Sequence, residues 1–200
     1  MRVHRDDRRP AGMIWRAVPC ALALVLATPA IGQETGGAFD GNPEMQALFA
    51  ADQEERTGEA VDWAALRKAD RERRARVREL LDRGELQTAD DFYAAAFVFQ
   101  HGNEPEAYLL AHALAVRSLA LGHENAEWIA AASLDRYLQS IAREQIYGTQ
   151  STRYPGEDAT RGRYDRDLLT DQLRVAAGTG TLAEQDAKLD KQNAPAGEPE

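Results

Sequence analysis

The chain has 200 residues, with 33 acidic side chains against 24 basic ones and a formal net charge of −9 at pH 7. This excess of negative charge repels nucleic acid phosphates and anionic lipid headgroups, which excludes both as natural partners. The single cysteine, Cys20, excludes a disulfide framework; beyond it the chain has neither a thiolate nucleophile nor a cysteine-based zinc site.

The first 32 residues have the composition of a secretory signal peptide. An arginine-rich leader precedes an apolar run over residues 17–27, and Ala30-Ile31-Gly32 supplies small residues at the positions that a signal peptidase reads. The run is shorter than the roughly 20 apolar residues that span a bilayer. We therefore predict cleavage after Gly32 and a periplasmic or secreted protein with no membrane contact. The Arg8-Arg9 pair leaves the twin-arginine export route as an alternative.

Helical patterns follow one another through the rest of the chain. Apolar residues recur with helical spacing, and no segment shows the two-residue alternation of a strand. Start signals stand at Pro43, Asp62, Thr88, Pro105 and Asn125, and glycines that end helices follow three of the segments. The sequence predicts an all-α fold, a compact bundle of about five to seven short helices with helical-hairpin packing.

Composition also predicts the domain boundaries. We expect a flexible segment over residues 33–42, a single helical domain over 43–192 and a disordered tail over 193–200, which is rich in Pro and Glu. After residue 150 the composition changes to Ser, Thr, Arg, Gly and Asp, which indicates irregular structure. Short helices are expected at Asp167 to Ala177 and from Thr181.

Three polar clusters interrupt the apolar patterns. They are Gln100-His101-Gly102, Asp135-Arg136 and Gln145-Ile146-Tyr147-Gly148-Thr149-Gln150. Together they resemble the core pattern of a family of uncharacterised bacterial domains, in which Gln-His, Asp-Arg and Gln-x-Tyr-Gly-Thr-Gln occur in this order. The resemblance extends from about Asp52 to about Gln185. It implies that the three clusters belong together, and it implies no reaction.

The carboxylates of these helices fall on apolar stripes. Asp135 has apolar neighbours one turn away, so it faces inward and needs donors, which the amides of Gly148 or Thr149 can supply. A structural clamp on the loop is therefore one interpretation of this residue. Residues three or four positions apart share a helix face, which predicts two ion pairs. These are Asp52 with Arg56 and Asp70 with Arg74, and Arg73 is a further local candidate cation.

The clusters predict a ligand- or partner-binding module with a polar pocket for a small molecule or a peptide segment. His101 ends a helix, where the negative pole favours the imidazolium form. The predicted lining consists of Gln100, His101, Asp135, Arg136, Gln145, Tyr147, Gly148, Thr149 and Gln150.

The alternative is a hydrolase in which His101 is the general base and Asp135 orients it or binds a divalent metal. The chain has no Gly-x-Ser-x-Gly elbow, Walker loop or His-Glu-x-x-His helix, which favours the binding module. Asp70, His101 and Asp135 are residue types that ligate metals, but they are scattered singly. We therefore predict no metal and no cofactor.

Overall fold

The computed structural model describes residues 39–57 and 61–194. Within them the chain forms seven helices and no sheet, which confirms the all-α prediction. The helices are α1 (Pro43–Glu54), α2 (Trp63–Asp82), α3 (Ala89–Gln100), α4 (Pro105–Ala120), α5 (Ala126–Ser140), α6 (Asp171–Ala176) and α7 (Leu182–Asn193).

Side-chain caps explain where most helices begin. The Asn42 side chain accepts hydrogen bonds from the first turn of α1, and Asp62 does the same for α2. Thr88 and Asp91 form a reciprocal capping box at α3, as the sequence predicts. α5 ends at Ser140, and Ala142, two residues later, has a φ of +58°, outside the range of a right-handed helix.

The core lies between three consecutive helices, with α4 packed against both α3 and α5. Short turns join them, as in helical hairpins, and small side chains let the backbones approach closely. α1 and α2 cover this core with Met45, Val77 and Leu80. The buried small residues of α3, α4 and α5 include Ala94, Ala95, Ala96, Ala111, Ala115 and Ala126.

The segment after residue 150 is irregular, as predicted, and is fixed by two isolated bridges, Gln145 with Tyr164 and Thr152 with Thr160. Helix α7 begins at a Thr181 capping box. It continues to Asn193, whose side chain accepts a hydrogen bond from the Ala159 amide at 2.7 Å. The expected tail boundary at residue 193 is therefore too early.

The predicted signal peptide lies outside the described residues, and so do residues 33–38 and 195–200. The last residues of the segment expected to be flexible, 39–42, are held against α3. The amide of Asp40 donates to Asp90 at 2.8 Å, and the amide of Asn42 donates to Asp91 at 2.7 Å. Among the described helices, none combines the length and the apolarity that a bilayer crossing needs.

Candidate functional site

Asp135 holds the Gln-x-Tyr-Gly-Thr-Gln loop. The residue is fully buried on α5, and its two carboxylate oxygens accept four hydrogen bonds. Oδ1 accepts from the amides of Ile146 at 2.8 Å and Tyr147 at 3.1 Å. Oδ2 accepts from the Thr149 amide at 3.0 Å and its hydroxyl at 2.8 Å. The clamp interpretation is confirmed at Thr149, whereas Gly148 donates no bond to this carboxylate.

Gln145 and Gln150 close the loop from inside. The Gln145 side chain is fully buried; its amide nitrogen donates to the carbonyls of Gln150 at 3.0 Å and Arg161 at 2.6 Å. Its Oε1 accepts from the Gln150 amide at 3.0 Å. The Gln150 side chain in turn donates to the Thr149 hydroxyl at 2.9 Å. These groups bind one another, so they specify the shape of the loop.

Gly148 is needed for both its conformation and its size. Its φ is +73°, and a Cβ there would lie 2.4 Å from Oε1 of Gln185 and 2.7 Å from the Tyr164 ring. Gln185 donates to the Tyr147 carbonyl at 2.9 Å and accepts from the Tyr164 hydroxyl at 3.1 Å. Arg161 donates to the carbonyls of Gly148 and Gln185. The loop is thus locked against α7.

Arg174 completes this network and is 1% exposed. It donates to the Tyr164 hydroxyl at 3.0 Å and to Asp171 at 3.2 Å. Sequence reasoning missed Gln185, Tyr164, Arg161 and Arg174, because their partners are distant in the chain. The loop residues that were expected to line a ligand pocket therefore place most of their polar groups in internal hydrogen bonds.

A second polar cluster, the α1–α2 ion-pair cluster, consists of Asp52, Arg56, Asp70 and Arg73. Arg56 donates to Asp52 Oδ1 at 3.0 Å, which confirms that predicted pair. It also donates to Asp70 Oδ1 at 2.7 Å, and Arg73 reaches the same oxygen at 2.9 Å. The prediction that Asp70 pairs with Arg74 is wrong, because Arg56 from the neighbouring helix and Arg73 occupy the carboxylate. The two arginines hold the pKa of Asp70 below its usual range against the effect of burial.

His101 lies against this cluster and not against Asp135. Its Nδ1–H donates to Asp52 Oδ1 at 3.2 Å, and its side chain is 8% exposed. Burial lowers the pKa of His101, and the bond to Asp52 opposes this effect only in part. This direction is opposite to that expected from the helix end. Asp52, rather than Asp135, orients the ring, since Asp135 is committed to the loop.

Asp52, Asp70 and His101 each offer a ligand atom within 4.8 Å of the others, a spacing that suits a metal ion. The arrangement does not favour one. Two guanidiniums already neutralise both carboxylates, and the Nδ1 of His101 carries the hydrogen that bonds Asp52. A divalent cation would have to displace these arginines. The geometry is that of an ion-pair network, and Asp135 takes no part in it.

Arg136 is a half-buried arginine of α5 that lacks the carboxylate partners of Arg56, Arg73 and Arg174. Its Nε is buried without a hydrogen-bond partner, and no carboxylate of the described residues lies within 4.0 Å of its guanidinium. Burial lowers the pKa of Arg136, and the Tyr108 hydroxyl beside it opposes this effect. Arg136 is close enough to His101 to lower the pKa of that imidazole. Asp135 and Arg136 are adjacent in the sequence but act in different parts of the structure. Asp135 binds the loop, and Arg136 lies beside His101.

Two further polar groups neighbour His101, Arg74 in space and Gln100 in sequence. Arg74 of α2 lies close enough to Tyr108 to lower the pKa of its hydroxyl, against the larger effect of burial. Arg74 also donates to the His101 carbonyl at 2.8 Å. No carboxylate of the described residues lies within 4.0 Å of its guanidinium. Gln100 is 4% exposed, and its buried Oε1 has no hydrogen-bond partner. We call Arg74, Gln100, His101, Tyr108 and Arg136 the Arg136 site.

Comparison with known proteins adds no assignment: no family model, curated protein or solved structure matches the chain.

Proposed function

We propose that the protein is a binding module for a small oxyanion, a carboxylate or a phosphate, which is anchored by Arg136. The carrying observation is the Nε of Arg136, which is buried without a hydrogen-bond partner on a guanidinium that has no carboxylate of the described residues within 4.0 Å. Buried cations are normally paired, because an isolated charge in a poorly hydrated interior is costly. Arg56, Arg73 and Arg174 each follow this rule.

The surrounding groups support an oxyanion more than another ligand. Arg74 and Arg136 are planar forks that bind carboxylate and phosphate in a bidentate manner, and the Tyr108 hydroxyl can donate a further bond. His101 has its Nδ1–H committed to Asp52, so its Nε2 is an acceptor that can bond only a protonated oxygen of such a ligand. The chain is acidic overall, so its long-range electrostatic field repels an approaching anion. The affinity of the site for an oxyanion must therefore come from the short-range contacts with these side chains.

The test is a thermal melt of the purified protein with acetate, succinate, phosphate and sulfate, beside mass spectrometry of small molecules released on denaturation. We expect at least one oxyanion to raise the melting temperature of the parent more than that of Arg136→Lys, because lysine keeps the charge and loses the bidentate fork. Equal stabilisation of both proteins by every anion, with no co-purifying anion, would refute the proposal.

We also infer that the module works outside the cytoplasm, on the strength of the arginine-rich leader, the apolar run and the small residues before Gln33. N-terminal sequencing of exported protein is expected to begin near Gln33. Recovery of full-length protein in the cytosol alone would refute export and leave the oxyanion proposal intact.

A further inference from the structure

A concave groove lies between α4, α5 and α6, and Arg136 is not among its lining residues. Its volume is about 300 Å³, the lower end of the range for small-molecule sites. Its apolar lining includes Val116 and Leu119 of α4, Ala130 and Ala131 of α5, and Leu173 of α6. Val116 is 46% exposed and Leu173 is 53% exposed, so the groove leaves apolar surface in contact with water.

A few polar groups interrupt this apolar lining. His112 uses Nδ1–H to donate to the Ala130 carbonyl at 2.9 Å, which fixes the ring and leaves its Nε2 as an acceptor. The Tyr147 side chain also lines the groove. Glu127, in the first turn of α5, is the charged residue of the lining, and it forms no hydrogen bond or ion pair with a described side chain.

We propose that this groove binds an aliphatic ammonium compound. The hydrocarbon part would lie against Val116, Leu119 and Leu173, where it covers exposed apolar surface. The ammonium group would pair with Glu127 and donate to Nε2 of His112. The charge of the lining determines this choice of ligand, because Glu127 repels a carboxylate and a neutral alcohol leaves it without a counter-ion.

The experiment titrates hexylammonium chloride into the ¹⁵N-labelled protein, with hexanol and sodium hexanoate as matched probes. We expect saturable shifts of the Ala130, Ala131 and Ala176 amides with hexylammonium, and weaker binding of the two other probes. Glu127→Gln is expected to weaken hexylammonium binding roughly fivefold, the value of a partly exposed ion pair, and to leave hexanol binding unchanged. Glu124→Gln, an exposed acid just before α5, is the matched control and is expected to change neither.

Ala176→Trp tests the location of the site, because residue 176 is exposed and its side chain can fill the groove without entering the core. Its melting temperature verifies folding, and binding of every probe is expected to disappear. Shifts elsewhere, equal affinity for hexanol and hexylammonium, or unchanged binding in Glu127→Gln would overturn the proposal. Arg136→Lys leaves this groove intact, so a failure here is distinguishable from a failure at the Arg136 site.

Discussion

Thr149 gives both its amide and its hydroxyl to one oxygen of Asp135, at 3.0 and 2.8 Å. One side chain of α5 thereby fixes the loop at two atoms of a single residue, and the other carboxylate oxygen fixes Ile146 and Tyr147. A carboxylate that accepts several bonds inside a protein is a strong restraint, because each bond is charge-assisted. The loop owes its shape to this restraint.

Asp135→Asn is expected to lower the free energy of unfolding by about 1.5 to 3 kcal/mol, since the amide group cannot accept all four bonds. Limited trypsin digestion is expected to cut the irregular segment that follows the loop, at Arg153 or Arg161, sooner than in the parent. Asp158→Asn, an exposed position in the same irregular segment, serves as the control. An unchanged melt and an unchanged digestion rate in Asp135→Asn would contradict the clamp.

Gly148→Ala tests the packing of the loop against α7. Alanine at a φ of +73° is strained by roughly 1 to 2 kcal/mol, and its Cβ would also collide with Gln185 and the Tyr164 ring. Gly156→Ala is a matched control, because its φ is +81° and a Cβ there meets nothing within 4 Å. Chemical denaturation should show a clearly larger loss of stability at residue 148. Equal losses would mean that α7 does not press on the loop.

Asn193→Ala measures how far the ordered chain extends. The Asn193 side chain accepts from the Ala159 amide at 2.7 Å and donates to the Ala159 carbonyl at 3.0 Å. Their loss is expected to cost about 1 to 2 kcal/mol. Ending the chain after residue 194 should leave the melting temperature unchanged, whereas ending it after residue 192 should lower it. The same melting temperature for both truncations would contradict this boundary.

His101 makes stability depend on pH. Burial lowers the pKa of His101 in the folded chain below its ordinary value of 6.5, so the unfolded chain binds the proton more readily. Stability is therefore expected to be highest above pH 6.5 and to fall as the pH drops from 6.5 towards the folded pKa. Melts of the parent and His101→Gln from pH 7.5 to 5.5 test this effect. The variant should show a flatter profile; parallel profiles would contradict it.

Local rules explain which parts of the fold were predictable. Thr88 and Asp91 form a cap from residues three positions apart, and Asp52 with Arg56 forms an ion pair four positions apart, so both could be read from spacing. Asp70 has one partner three positions along its own helix, Arg73, but its other partner could not be read from spacing, because Arg56 reaches it from another helix.

The candidate site could be predicted only in part for the same reason. The Asp135 clamp joins residues 11 to 14 positions apart, and its apolar neighbours and the following glycine loop indicated it. The environment of Arg136 includes Arg74 and Tyr108 from two other helices, which no spacing rule relates to it. Periodicity identifies buried faces, whereas contacts between helices depend on how the helices pack.

The most direct test of the oxyanion proposal is the melting temperature of Arg136→Met with and without phosphate. Arg136 is a half-buried cation with no carboxylate of the described residues within 4.0 Å, so replacing it by an apolar side chain of similar length is expected to raise the melting temperature in anion-free buffer by roughly 2 to 4 °C. The additional stabilisation by phosphate should then disappear. Arg143→Met, at an exposed arginine after α5, controls for the general effect of phosphate on protein stability. A lower melting temperature in Arg136→Met with an undiminished response to phosphate would contradict the account.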